Sequence, residues 1–132
     1  MEKITVRTSD RTEIIDITQQ IQSIVSKSEF EDGICHVFVP HTTAGITINE
    51  NADPDVKSDM LMEIDKLIPF NDSYRHSEGN SAAHIKASIF GNSESVLFHK
   101  AQLQLGTWQQ PVFVCLDVRS RSRRVAITII GE

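Results

Sequence analysis

Residues 74–84, Tyr-Arg-His-Ser-Glu-Gly-Asn-Ser-Ala-Ala-His, concentrate the side chains best able to do chemistry into one short stretch. His76 and His84 can ligate a metal or move a proton, Glu78 can do either, and Arg75 brings positive charge. Gly79 breaks the chain, Asn80 can cap, and residues 81–87 suit a helix, so the stretch reads as a loop entering a helix. Backbone N–H groups at such a start attract an anion, and nothing bulky stands between Gly79 and Ala83 to block a phosphate. Lys86 and the series Arg119, Arg121, Arg123 and Arg124 can add charge there, or can serve an exposed turn and strand.

The histidines leave two chemistries open. Capped by Asn80, His84 falls in the first turn of a helix, where the dipole disfavours imidazolium and keeps the ring available as ligand or base. His41, His76 and His84, with Glu78 beside them, can hold a divalent metal such as Zn²⁺. Their spacing is not a diagnostic one, and they can equally hydrogen-bond a ligand. Glu50, Asp53, Asp55 and Asp59 lie around a helix start, where they suit capping and the dipole; beside a phosphorylated substrate such oxygens can hold Mg²⁺. Trp108 and Gln109 can offer a flat apolar wall with an amide, or the indole can pack in the core. No serine or cysteine has an identifiable base partner, which leaves covalent catalysis without support.

These groups need a frame to position them. Residues 3–8 alternate as a half-buried strand, 9–11 form a turn and 13–17 a returning strand. Thr18 caps a helix with Ile17, Ile21, Ile24 and Val25 on its apolar face. Residues 34–39 are nearly continuous apolar and β-branched, predicting a strand buried on both faces and ended by Pro40; His36 within it reads as a satisfied core histidine. From Thr43 to Asn49, small polar residues alternate with Ala44, Ile46 and Ile48, placing a polar row on one side of a strand with His41 and Glu50 at its ends. Asp53-Pro54 starts a helix to about Ile68, burying Val56, Met60, Leu61, Ile64, Leu67 and Ile68. Gly91 follows the helix that Asn80 opens. Residues 94–99, 102–105, 111–116 and 124–130 read as strands. The expectation is a single α+β domain over 1–132, a β-rich sandwich with about three helices.

At 132 residues, 39% hydrophobic and 23% charged, the chain can bury a real core. Its apolar runs are too short to span a bilayer, and its start has no signal-peptide profile. Cys35 and Cys115 sit in apolar runs as buried thiols of a reducing cytoplasm. A formal charge of −5 argues against nucleic acid as partner, without excluding a local anion site.

Taken in order, His41-Thr42-Thr43-Ala44, Asn49-Glu50, Asp53-Pro54 with Asp59-Met60, His76-x-Glu78-Gly79 with His84-Ile85-Lys86, and Leu105-Gly106-Thr107-Trp108-Gln109 are together similar to the YjbQ-like family. The similarity spans essentially the whole chain. Members of that family are often labelled secondary thiamine-phosphate synthases. The resemblance implies a compact β-sandwich with flanking helices, assembled as a homotrimer whose shared polar residues meet near the subunit boundary. It implies joining a pyrimidine diphosphate to a thiazole phosphate with release of pyrophosphate. His41, Thr42, Thr43, Asn49, Glu50, His76, Glu78, His84, Trp108 and Gln109 match the pattern, and Arg123 and Arg124 match some relatives. The chain departs at Cys115, where many relatives are acidic, at Asp117-Val118-Arg119-Ser120, where they read Asp-Gly-Pro-Arg, and at Ala101, where they have glycine.

On that basis His41, His76, His84 and Glu78 are the catalytic candidates, and Thr42, Thr43, Asn49, Glu50, Gly79, Asn80, Lys86, Trp108, Gln109 and Arg123 the substrate-binding ones. Mg²⁺ carried with a diphosphate, or a histidine-bound divalent metal, is the expected cofactor. A non-catalytic trimer that captures a metal or a small phosphorylated ligand is the competing expectation.

Overall fold

The computed structural model describes residues 1–9 and 12–132; the turn expected at Asp10-Arg11 lies outside the described residues. Strands β1 (Glu2–Thr8) and β2 (Glu13–Asp16) precede helix α1 (Thr18–Lys27), followed by β3 (Gly33–Phe38), β4 (Ala44–Asn49), α2 (Pro54–Leu67) and α3 (Ser81–Phe90). The chain ends in β5 (Ser93–His99), β6 (Gln102–Leu103), β7 (Gln110–Cys115) and β8 (Arg121–Gly131). Two antiparallel sheets result, one ordered β1-β8-β3-β5-β6 and one ordered β2-β7-β4. The α+β class and its three helices agree with the sequence expectation.

The main core lies between the sheets. Val6, Cys35, Val37 and Ile127 from the larger sheet meet Ala44, Ile46 and Phe113 from the smaller, and Ile17, Ile21 and Val25 of α1 close one side. A second apolar cluster covers the other face of the small sheet, where Val112, Val114 and Leu116 pack against Ala83 and Ala87 of α3. Such small residues let α3 lie close to the sheet. Gly45 extends that approach: a Cβ there would stand 2.7 Å from the Gly91 carbonyl oxygen and 3.1 Å from the Phe90 Cβ. Ile46 N–H donates to the same carbonyl at 3.0 Å, which fixes the end of α3 against β4.

Several local expectations are revised. Strand β3 alternates, with Cys35 and Val37 fully buried but Ile34 and Phe38 37% and 40% exposed, because none of the described residues covers the outer face of the large sheet there. His36 sits on that face and pairs through Nδ1 with Ser95 Oγ at 2.8 Å. Helix α2 has no buried residue and Leu67 is 71% exposed, so it rests on the domain's margin instead of entering the core. Asp53 caps α2 as expected, accepting from Asp55 N–H at 2.9 Å. Thr18 does not cap α1; it is the first helical residue, and Asp16 Oδ1 accepts its N–H. Strand β6 is cut to two residues, whereas β8 begins earlier than expected, at Arg121.

Candidate functional site

The loop after β3, the start of α3 and the start of β8 converge at one end of the small sheet. Between them lies a cavity of about 440 Å³ walled by His41, Thr42 and Thr43 on one side and by His76, Glu78, Asn80 and His84 on another. Arg119, Arg121 and Arg123 complete it. Strand geometry explains the last pair: residues two apart share a face, so Arg121 and Arg123 point the same way while Arg124 points to the opposite side.

Arg123 is the site's most constrained member. It is 2% exposed, and its Nη2 donates to Thr43 Oγ1 at 2.8 Å. Its Nε has no partner, and among the described residues no carboxylate pairs with it. A buried, unneutralised guanidinium is expensive, and groups of that kind mark places where a ligand supplies the counter-charge. Asn80, 8% exposed, opens α3 but makes no capping bond through its side chain, and its Oδ1 is likewise buried without a partner. The positive end of the α3 dipole therefore abuts the cavity, with no acidic residue in the helix's first turn.

His41 is held as a neutral ring. Its Nε2 accepts the Arg124 N–H at 3.0 Å, which leaves the hydrogen on Nδ1 as a donor. Burial, then the nearby charge of Arg123, lowers its pKa below the ordinary imidazole value. His76 and His84 meet edge to face with centroids 5.5 Å apart, and His76 Nε2 lies 4.0 Å from Glu78 Oε2. Asp117, 1% exposed, underlies the arginines. Its Oδ2 accepts from Arg119 Nη2 at 3.2 Å and Arg121 Nη2 at 2.8 Å, while Oδ1 accepts the Val118 and Arg119 N–H groups. Burial alone would push this carboxyl up, but the hydrogen bond from Arg119 and the charge of Arg121 hold it below the usual range.

Eight predicted site residues thus meet: His41, Thr42, Thr43, His76, Glu78, Asn80, His84 and Arg123. Gly79 stands just outside, with φ +78 in the left-handed region that turns the loop into α3. Lys86 is not a ligand group. It is fully buried, bonded to Asp65 and 4.4 Å from the Phe70 ring, tying α3 to the chain around α2. Asn49, Glu50, Trp108 and Gln109 are also absent from the cavity. They lie around the other end of β4, whose six residues from Ala44 to Asn49 span roughly 17 Å. There the Asn49 side chain accepts the Glu50 N–H, Gln109 closes a turn on Gly106, and Trp108 is 64% exposed. A three-histidine metal centre is not assembled either. Among the described residues no three His, Cys, Asp or Glu side chains come together at metal-binding spacing, since His41 has its Nε2 committed to backbone and faces arginine charge.

Asp117 was not among the sequence candidates, and Arg119 and Arg121 were considered only as added charge. The alternation of Arg121 and Arg123 within a strand was the available signal. Asp117 stood out only as the shared first residue of a segment in which the chain otherwise departs from its relatives, because its role depends on a turn that only the fold defines.

Comparison with known proteins agrees with this architecture. The profile of the UPF0047 protein YjbQ-like family matches residues 2–132. A UPF0047 protein of Methanocaldococcus jannaschii is 47% identical over 130 residues, covering 98% of this chain and 94% of its own. YugU of Bacillus subtilis is 42% identical over 132 residues, covering 99% of each. The crystal structure of an uncharacterised YjbQ/UPF0047 protein from Clostridium acetobutylicum superposes with a TM-score of 0.95 at 47% identity, covering 98% of this chain and all of the other. A protein of unknown function from Sulfolobus solfataricus superposes at 0.93 with 35% identity, over 99% of this chain and 96% of that one. With its profile match over residues 2–132, its relatives' identity along the chain and the shared fold, the chain belongs to the YjbQ-like UPF0047 family.

Proposed function

We propose that the cavity binds the phosphate or diphosphate of a small phosphorylated molecule. The observation that carries this is the buried Arg123, without a carboxylate partner among the described residues, at a cavity also lined by Arg119 and Arg121. Net charge of −5 over the chain makes the local concentration of cations more telling. Guanidinium forks match phosphate oxygens, and neutral His41 offers a further N–H donor.

Within that reading, the reaction favoured is the one the family resemblance implies: transfer of a pyrimidine from its diphosphate to a thiazole phosphate, giving thiamine phosphate and pyrophosphate. Arg119, Arg121 and Arg123 would take up the charge that develops on departing pyrophosphate, the largest contribution such a site makes. His76 or His84 would orient or move a proton at the edge of the cavity. Mg²⁺ carried on the diphosphate fits the donors present, since it needs only one or two carboxylates besides substrate oxygens, and Glu78 lines the cavity. It would screen phosphate charge. A histidine-bound Zn²⁺ fits less well, because three ligands are not assembled among the described residues.

A second reading is capture without turnover. It is favoured by the separation of Glu50 from the cavity and by the 62% exposure of the Glu78 side chain, which leave little carboxylate chemistry inside. The homotrimer belongs to both readings. Ile34, Leu97 and Ile130 are cross-strand neighbours on the uncovered sheet face, each exposed, and such a row favours self-association. Buried free thiols and the absence, among the described residues, of any helix long and apolar enough to cross a membrane accord with a cytoplasmic role.

One experiment separates the two. Purified protein is titrated with pyrophosphate, then given both thiamine precursors and Mg²⁺, with light scattering recording the assembly. The expected result is binding, with thiamine phosphate formed above a His84→Ala control. Binding without product would leave capture standing and sink the synthase reading; no binding would remove both.

A further inference from the structure

We infer that Asp117 is a positioning residue for the anion cavity, holding Arg119 and Arg121 in ligand-ready geometry. The inference rests on the phosphate-binding reading above. Asp117 does not line the cavity, but both arginines that it binds do. One carboxylate oxygen, Oδ1, fixes the backbone of the turn through the N–H groups of Val118 at 2.8 Å and Arg119 at 3.3 Å. The other, Oδ2, takes one Nη2 from each guanidinium. A guanidinium carries five N–H donors, so one spent on Asp117 leaves four for a ligand.

The reason to anchor them is entropic. The Arg119 and Arg121 side chains are 58% and 34% exposed, unlike buried Arg123, and freely moving arginines lose rotamer freedom when they close on a ligand. Asp117 removes much of that freedom before the ligand arrives. A purely electrostatic account gives the opposite sign. If Asp117 only lowered the positive potential of the cavity, neutralising it would strengthen anion binding.

The two accounts are separated by titrating wild-type and Asp117→Asn protein with pyrophosphate. The amide keeps an oxygen for the two backbone N–H groups but presents a donor where the guanidinia need an acceptor. Positioning predicts affinity weakened about tenfold, the scale of one charge-assisted hydrogen bond. In an Arg121→Gln background the same change should cost clearly less than tenfold, because only Arg119 then remains for Asp117 to hold. Equal or tighter binding by Asp117→Asn, or full additivity, would overturn the inference. Arg121→Lys guards against a folding defect in Asp117→Asn. It keeps the charge but loses the fork, so positioning expects a loss of about fivefold or more, and an unchanged affinity overturns it. Should wild-type protein bind neither phosphate nor pyrophosphate, the parent reading falls and this inference with it. Wild-type binding with indifferent variants removes only the inference.

Discussion

Lys86 and Arg123 are both fully buried cations, both reached by the sequence as ligand-binding candidates, and their surroundings differ in every respect that matters. Around Lys86 the fold supplies an answer to the charge: the Asp65 carboxylate and the face of Phe70. Around Arg123, among the described residues, it supplies only the Thr43 hydroxyl, and Nε is left without a partner. A buried charge that is satisfied by its own chain is part of the scaffold. One that is not satisfied is maintained at a cost to stability, and the cavity beside it gives the cost a purpose. Helix α3 serves both, since its first residues face the cavity and its middle anchors to α2.

That contrast breaks most sharply by removing the partner of Lys86. Asp65→Ala leaves an ammonium buried with only a ring beside it, and should lower unfolding free energy by roughly 3 kcal/mol in urea titrations. Pyrophosphate affinity of the fraction that remains folded should not change. If that affinity collapses instead, Lys86 serves the ligand and the distinction fails. Arg123→Met is the mirror case. Stability should stay within about 1 kcal/mol of wild type or rise, since a costly buried charge is gone. Pyrophosphate binding should weaken roughly 100-fold, the scale of two charge-assisted hydrogen bonds lost together. A strongly destabilised Arg123→Met protein would mean that this guanidinium, too, belongs to the scaffold.

The same pair shows where sequence reading stops. Local signals survived in part: Asp53-Pro54 starts α2, Gly91 ends α3, and the alternation of β1 appears in its burial, whereas β4 is buried at Ala44, Gly45 and Ile46 in succession. Loop residues with unusual chemistry, from His41 to Thr43 and from His76 to His84, also came together as expected. What sequence could not distinguish was which cation finds a carboxylate, because Asp65 and Lys86 meet only through the packing of two helices. It also could not measure β4, whose two polar ends look alike as motifs but stand a full strand apart. Gly45, read as part of a polar row, instead makes room for the end of α3.

A smaller test concerns the neutral ring beside Arg123. The folded-state pKa of His41 lies below the ordinary 6.5, so the unfolded chain binds more protons over that interval. Stability therefore rises with pH across it, and acidification from pH 7 to 5 destabilises the native state through His41. His41→Gln can still accept the Arg124 N–H while removing the titration. Its melting temperature should fall less than that of wild type over this range, by a few degrees. Asp117, also depressed, acts in the same direction but only below its ordinary 3.8, so the two are separable. Parallel curves for wild type and His41→Gln would show that burial and the charge of Arg123 together do not lower the ring's pKa.

Trp108→Ala should do least. The indole is 64% exposed and stands by the far end of β4 from the cavity, so within one chain it has no route to a bound anion. Pyrophosphate affinity should change by less than about twofold, as for most surface substitutions. A loss of tenfold would require the far end of one copy to cover the cavity of another. Mixing Trp108→Ala with Arg123→Met protein then decides the matter. In a shared site, some mixed assemblies combine an intact Arg123 with a neighbour's intact Trp108 and regain binding. If each cavity is complete within its own chain, mixing restores nothing beyond the sum of the two proteins.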